Sequence, residues 1–173
     1  MNFGYEIEAS AHCTDLDKFF NEVYRTLKPG GKFAGYAWCS TPYYNSSDAN
    51  HKKIMDDITY GNSMPCIYEF SAFIKAIENS GLILEEEKDL ALEEQIPWYN
   101  PLDGKYTISG FKSTKLGRIC TNYLVYFMES FRLAPKGSYQ AHNILQIAAD
   151  GLLNGGQQEI FTPMHFYKVR KPE

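Results

Sequence analysis

Two apolar runs, residues 3–9 and 32–39, flank a stretch with helical spacing. This strand–helix–strand order constrains the fold more than any other feature of the chain. In the middle stretch Leu16, Phe19, Phe20, Val23 and Leu27 recur at the spacing that puts them on one helix face. Thr14 is placed to cap that helix, with Asp15 and Asp17 in its first turn, where acids suit the helix dipole. Lys28-Pro29-Gly30-Gly31 then stops it. The order reads as a βαβ unit: parallel strands joined by a right-handed crossover. Phe33 to Trp38 is apolar on both faces, as a strand covered on both sides should be.

Downstream, Ser40 to Asn50 reads as a polar loop, and 51–60 as a helix with Ile54 and Ile58 facing inward. Gly61 to Pro65 is a breaker. A helix over 71–80, with Phe70, Phe73, Ile74 and Ile77 on one face, ends at Gly81. A strand over 82–90 directs Glu85 and Glu87 away from the core. Residues 93–106 are irregular, and Pro97 and Pro101 stiffen the loop that carries Trp98 and Tyr99. A long helix is predicted over 115–131, with Leu116, Cys120, Leu124, Phe127 and Phe131 near one stripe. Another is predicted over 139–153, ended by Asn154-Gly155-Gly156. The last strand, 160–169, has Pro163 near its start, which suits an edge strand.

A chain of 173 residues with 44% hydrophobic and 22% charged residues is expected to form one globular domain with its own core. Its 13 Tyr and 11 Phe point to an aromatic-rich core or to an apolar ligand that aromatics line. A net charge of -4 leaves no basic footprint for nucleic acid. The short basic run Lys168-Val169-Arg170-Lys171 is expected to be a solvated tail. Cys13, Cys39, Cys66 and Cys120 are widely spaced with no C-x-x-C pair, which fits reduced thiols better than a disulfide frame or a metal site. No apolar run approaches the ~18 residues of a membrane span, and the first four residues lack the start of a secretory leader.

Ligands of open α/β sheets bind at strand ends. The end of the first strand carries an acid and a base four residues apart, Glu8 and His12. In structural terms alone, Glu8 would cap the next helix, His12 would be a hydrogen-bonded surface residue, and Trp98 and Tyr99 would staple their loop.

Several motifs together resemble the sterol C-24 methyltransferases. They are Glu8-Ala9 with His12, Leu27-Lys28-Pro29-Gly30-Gly31, Tyr36 with Trp38, His51-Lys52-Lys53-Ile54, Ile96-Pro97-Trp98-Tyr99 with Pro101-Leu102, Leu133 to Ser138, Phe161 to Met164, and Arg170 to Glu173. The proline–glycine turn recurs widely among S-adenosylmethionine-dependent methyltransferases; the Ile-Pro-Trp-Tyr loop and the closing strand are more specific.

The resemblance covers the chain in order and corresponds to the C-terminal half of the family's catalytic domain. It implies an α/β fold: a partial class I, Rossmann-like methyltransferase sheet made of its C-terminal strands, with an α-helical C-terminal insertion and a closing antiparallel strand. Residues 1–90 would be the C-terminal half of the Rossmann-like domain and 91–173 the sterol methyltransferase C-terminal region.

The implied reaction is methyl transfer from S-adenosyl-L-methionine to the side-chain double bond of a sterol. In it Glu8 would be the carboxylate near the developing cation and His12 the base. Tyr36, Trp38, Trp98 and Tyr99 would line the sterol site, and Ile7, Glu8 and Ala9 would touch the cofactor. A sterol substrate implies proximity to the cytoplasmic side of the endoplasmic reticulum or to lipid droplets.

Departures from the family pattern accompany the resemblance. The glycine-rich turn that seats the cofactor in this fold has no counterpart. Ala37 stands where the family has Glu, Thr59 replaces an acidic residue, and Gly61-Asn62-Ser63-Met64-Pro65 replaces a Gly-Asp-Gly-Ile-Pro pattern. Three readings follow. One is an enzyme that needs an N-terminal half, another a non-catalytic sterol- or lipid-binding fragment that associates with an intact homologue, and the third the same fold with a different substrate. An unpaired first strand would also favour self-association through Phe3 to Ala9.

Overall fold

The computed structural model describes residues 1–93, 95–103 and 115–173. In chain order the elements are β1 (Phe3–Ile7), α1 (Leu16–Thr26), β2 (Lys32–Ser40), α2 (Ala49–Gly61), β3 (Tyr68–Glu69), α3 (Phe70–Asn79), β4 (Ile83–Asp89), α4 (Lys115–Ser130), α5 (Ser138–Gln157) and β5 (Phe161–Arg170). They form one sheet in the order β1-β2-β5-β4, with the short β3 also beside β2. β1 and β2 are parallel, as the strand–helix–strand pattern predicts, and β5 runs antiparallel to β2 and β4. β5, which comes from the second half of the chain, thus lies inside the sheet begun by the first.

Side chains alternate across β2. Phe33, Ala37 and Cys39 enter a core with Leu16, Phe20 and Val23 of α1, Phe73 and Ile77 of α3, and Tyr167 and Val169 of β5. On the opposite face Trp38 and Phe161 pack with Ile54 and Ile58 of α2. The sheet is therefore covered on both faces, but β2 is only half-buried on the second one.

Several expectations need correction. The cap of α1 is Asp15, whose carboxylate accepts the Lys18 N–H, in place of Thr14. Pro163 lies on a central strand. Ala37 pairs with His165 and Cys39 with Thr162, so Pro163 and Met164 stand opposite Trp38 in a bulge that needs no ladder donor there. Asn154-Gly155-Gly156 does not end α5, which continues to Gln157; Gly155 and Gly156 are buried because α5 packs closely there. The basic run is the end of β5. Lys168 and Arg170 pair with Glu85, while Lys171 donates to the carbonyls of Tyr24 and Leu27 at the end of α1.

The period of α4 is right but its apolar side is exposed: Leu124, Phe127 and Phe131 are open, and Cys120 is exposed too. The side chain of Leu116 lies outside the described residues. α4 meets α5 through polar contacts, including Gln146 to Asn122 and Arg118 to Asp150. Periodicity marks a face without saying which way it points. The predicted loop over 93–106 is described as far as Asp103, except for position 94. None of the four cysteines is bridged. No described helix is long and apolar enough to cross a membrane.

Candidate active site

The end of β1 is organised by Glu6, two residues before the predicted acid. Its carboxylate is buried and accepts the N–H groups of Ala9 and Ser10 at 2.6 and 3.2 Å. It also accepts the hydroxyls of Ser10 and Tyr167, each at 2.8 Å. Gly35, directly opposite Glu6 on β2, makes this possible: a Cβ there would lie 2.6 Å from the Glu6 carboxylate and 2.7 Å from the Tyr167 hydroxyl. Burial, followed by the neighbouring Glu6, drives the Tyr167 phenol well above its ordinary pKa, so it stays a donor.

This brace fixes the turn that carries Glu8. Glu8 has φ 59, in the left-handed region that non-glycine residues seldom occupy, and its N–H donates to the Tyr36 carbonyl. Glu8 and His12 are both exposed, and the helix that Glu8 was considered to cap is capped by Asp15. Ile7 pairs with Tyr36, which brings the predicted Ile7, Glu8, Ala9, His12 and Tyr36 to one end of the β1–β2 ladder.

A second group forms at the far end of β2. A cavity of about 790 Å³ opens there, within the size range of ligand pockets. Its apolar wall includes Phe70, Ile74, Trp98, Tyr99 and Phe161. Trp98 stands edge-on to Phe161 at 5.7 Å and to Tyr99 at 5.6 Å. Trp38 supports the wall from behind, 5.4 Å from Phe161. Gly156 of α5 lets this happen: a Cβ there would overlap the Tyr99 ring and press on Trp98.

The polar lining comes from residues that sequence reasoning missed. His165 lies against Phe70 with ring centroids 3.5 Å apart, and its Nε2 is 2.8 Å from Glu87. The Thr162 hydroxyl donates to Asp89 at 2.7 Å. Ser40 closes the lining at the carboxyl end of β2. Glu87, expected to point away from the core, is exposed and also lines the cavity. The position of Ser40 at a strand end was the available signal.

The predicted site residues therefore fall into two places. Trp98 and Tyr99 line the cavity, and Trp38 abuts it. Glu8, His12 and Tyr36 sit beside the end of β1 and are outside its lining. Among the described residues no cluster of acids, histidines and cysteines could hold a metal ion.

The description "Sterol methyltransferase C-terminal" matches residues 108–173. Along 98% of its length the chain is 43% identical to a cycloartenol-C-24-methyltransferase of Arabidopsis thaliana. It is 41% identical, over 97% of its length, to a sterol 24-C-methyltransferase of Clavispora lusitaniae. It spans about half of each relative, 51% and 47% respectively.

Among solved structures, a geranyl diphosphate methyltransferase in complex with SAM aligns with a TM-score of 0.61 at 15% identity, over 99% of this chain and 51% of that one. A putative sarcosine dimethylglycine methyltransferase of Galdieria sulphuraria gives 0.59 at 16% identity, over 99% and 53%. At such identities the likeness is one of fold, and the fold is that of Rossmann-like S-adenosylmethionine-dependent methyltransferases. About two-fifths of its residues are shared with these sterol C-24 methyltransferases along nearly its whole length, and the chain spans about half the length of the relatives it matches.

Proposed function

We propose that this chain supplies the sterol-binding half of a sterol C-24 methyltransferase, one that transfers methyl from S-adenosyl-L-methionine to a sterol side chain. The observation that carries the reading is the 43% identity to a cycloartenol-C-24-methyltransferase along 98% of the chain. The aromatic-walled cavity of about 790 Å³ agrees with it, because a rigid apolar ligand gains most from burial against such walls.

The end of β1 fits one side of a methyl-donor site: its turn is fixed by Glu6, and Ile7, Glu8 and Ala9 are exposed along it. These residues would hold the donor, which when bound supplies an electrophilic methyl group. Methylation of an alkene leaves positive charge on the sterol side chain. Glu8 stabilises that charge and His12 removes the proton that restores a neutral product. Trp98 and Tyr99 hold the skeleton and exclude water. The other wall of the donor site belongs to residues that full-length relatives carry beyond the aligned half.

The test joins the unaligned half of the Arabidopsis relative to this chain and follows labelled methyl into cycloartenol. Transfer is expected, with a loss of at least about a hundredfold in Glu8→Gln and in His12→Ala, the scale of one general acid–base group. An inactive chimera that nevertheless binds the donor would overturn the reading. The other reading, a binding fragment without catalysis, predicts sterol binding by the same chimera with no transfer.

A further inference from the structure

The cavity has an apolar wall and, in its lining, a buried hydroxyl with no partner among the described residues. Ser40 is 5% exposed, it lines the cavity, and its Oγ has no hydrogen-bond partner among the described residues. Buried hydroxyls are nearly always paired, since an unmade bond costs the full desolvation of the group. Two residues earlier on the same strand, the Trp38 indole N–H is also buried without a partner. Four polar side chains of the same lining, Thr162, Asp89, His165 and Glu87, are engaged. Thr162 donates to Asp89, Asp89 also accepts the Ala91 N–H, and His165 holds Glu87. Ser40 alone among these side chains is both unengaged and part of the lining.

We propose that Ser40 is the anchor for the single oxygen of an otherwise apolar ligand, its Oγ–H donating to that oxygen. This rests on the sterol reading of the cavity and adds the orientation of the ligand within it. Asp89, which lines the same cavity, is the acceptor to which a ligand hydroxyl donates in turn. Ser40 stands four residues past Tyr36, the partner of Ile7, so the anchor is about 13 Å further along the strand direction than the end of β1. A ligand held by its oxygen at Ser40 therefore directs its far, apolar end back toward Ile7, Glu8 and Ala9. That is the orientation that presents a side chain, and not a ring hydroxyl, for methylation.

The chain has two tryptophans, Trp38 and Trp98, both packed on Phe161, so intrinsic fluorescence reports occupancy. Detergent-dispersed cycloartenol and its 3-deoxy analogue are titrated into the intact chain and into Ser40→Ala. Cycloartenol is expected to bind the intact chain about fivefold more tightly than the deoxy analogue, and Ser40→Ala is expected to abolish that difference by weakening cycloartenol alone. Unchanged binding of the deoxy analogue by Ser40→Ala serves as the control for general disturbance. Equal affinities in the intact chain, or a preference that survives Ser40→Ala, overturns the anchor while leaving the cavity reading intact. No quenching by either ligand overturns both.

Discussion

At the scale of residues, the carboxylate with the most hydrogen bonds at the end of β1 is Glu6, while sequence reasoning singled out Glu8. The reason is physical. In an alternating strand a charged residue reads as solvent-facing, and only the missing side chain of Gly35 opposite makes room for Glu6 inside. That pairing depends on register, which a single strand does not encode. Trp98 and Tyr99 were legible because two prolines bracket them in a distinctive loop; Ser40 and Thr162 were not, since their roles depend on being brought together across strands. The Glu6 brace makes a prediction. Tyr167→Phe removes one of its four hydrogen bonds without changing the packing of a fully buried ring. It should cost about 1 kcal/mol in urea unfolding, while leaving the near-UV spectrum of the core unchanged.

At the scale of elements, helix spacing identified α1, α2, α3 and α5 and placed the faces of α1 and α3 correctly. For α4 it found the helix and an apolar stripe, which is exposed, because only the neighbour decides which side is covered. The α4–α5 corner is held by Glu129, whose two carboxylate oxygens accept the N–H groups of Gly137 and Tyr139 at the start of α5. Those two backbone bonds hold the Glu129 carboxyl below its usual range. A folded-state pKa below the unfolded one stabilises the fold above the unfolded pKa and is lost as pH falls through the folded value. Glu129→Gln should therefore lower Tm at pH 7, with the gap to the parent chain closing below about pH 4 in thermal scans followed by circular dichroism. Gly156→Ala tests the other end of α5. Overlap with Tyr99 should cost about 2 kcal/mol and shift tryptophan emission to the red as Trp98 is pushed outward.

At the scale of the whole molecule, the edge of the sheet at β1 is the exposed flank. Phe3, Tyr5 and Ile7 are 77%, 80% and 63% exposed on one face of a strand that, among the described residues, is paired on one side only. Such an edge is a template for pairing with another strand. Light scattering of the isolated chain should show concentration-dependent association, and Tyr5→Lys should suppress it; a monodisperse parent chain at high concentration would show that the edge is protected. The sheet order explains why the sequence revealed the βαβ unit early and misplaced the last strand. A crossover between consecutive strands is local. The insertion of β5 beside β2 joins segments more than a hundred residues apart, and no local signal reports it.

That insertion also has a consequence for synthesis. A chain made from its N-terminus can assemble β1, α1 and β2 as soon as they emerge, but the gap between β2 and β4 is filled only when residues 161–170 are available. Until then β4 has no strand partner among the described residues, and both inner strand edges are open to solvent. Translation at ~5–20 residues per second therefore leaves a window of several seconds in which the nascent sheet is a split half awaiting its centre. A chaperone that shields strand edges would act in that interval, and a stop codon before Phe161 would leave the interval permanent.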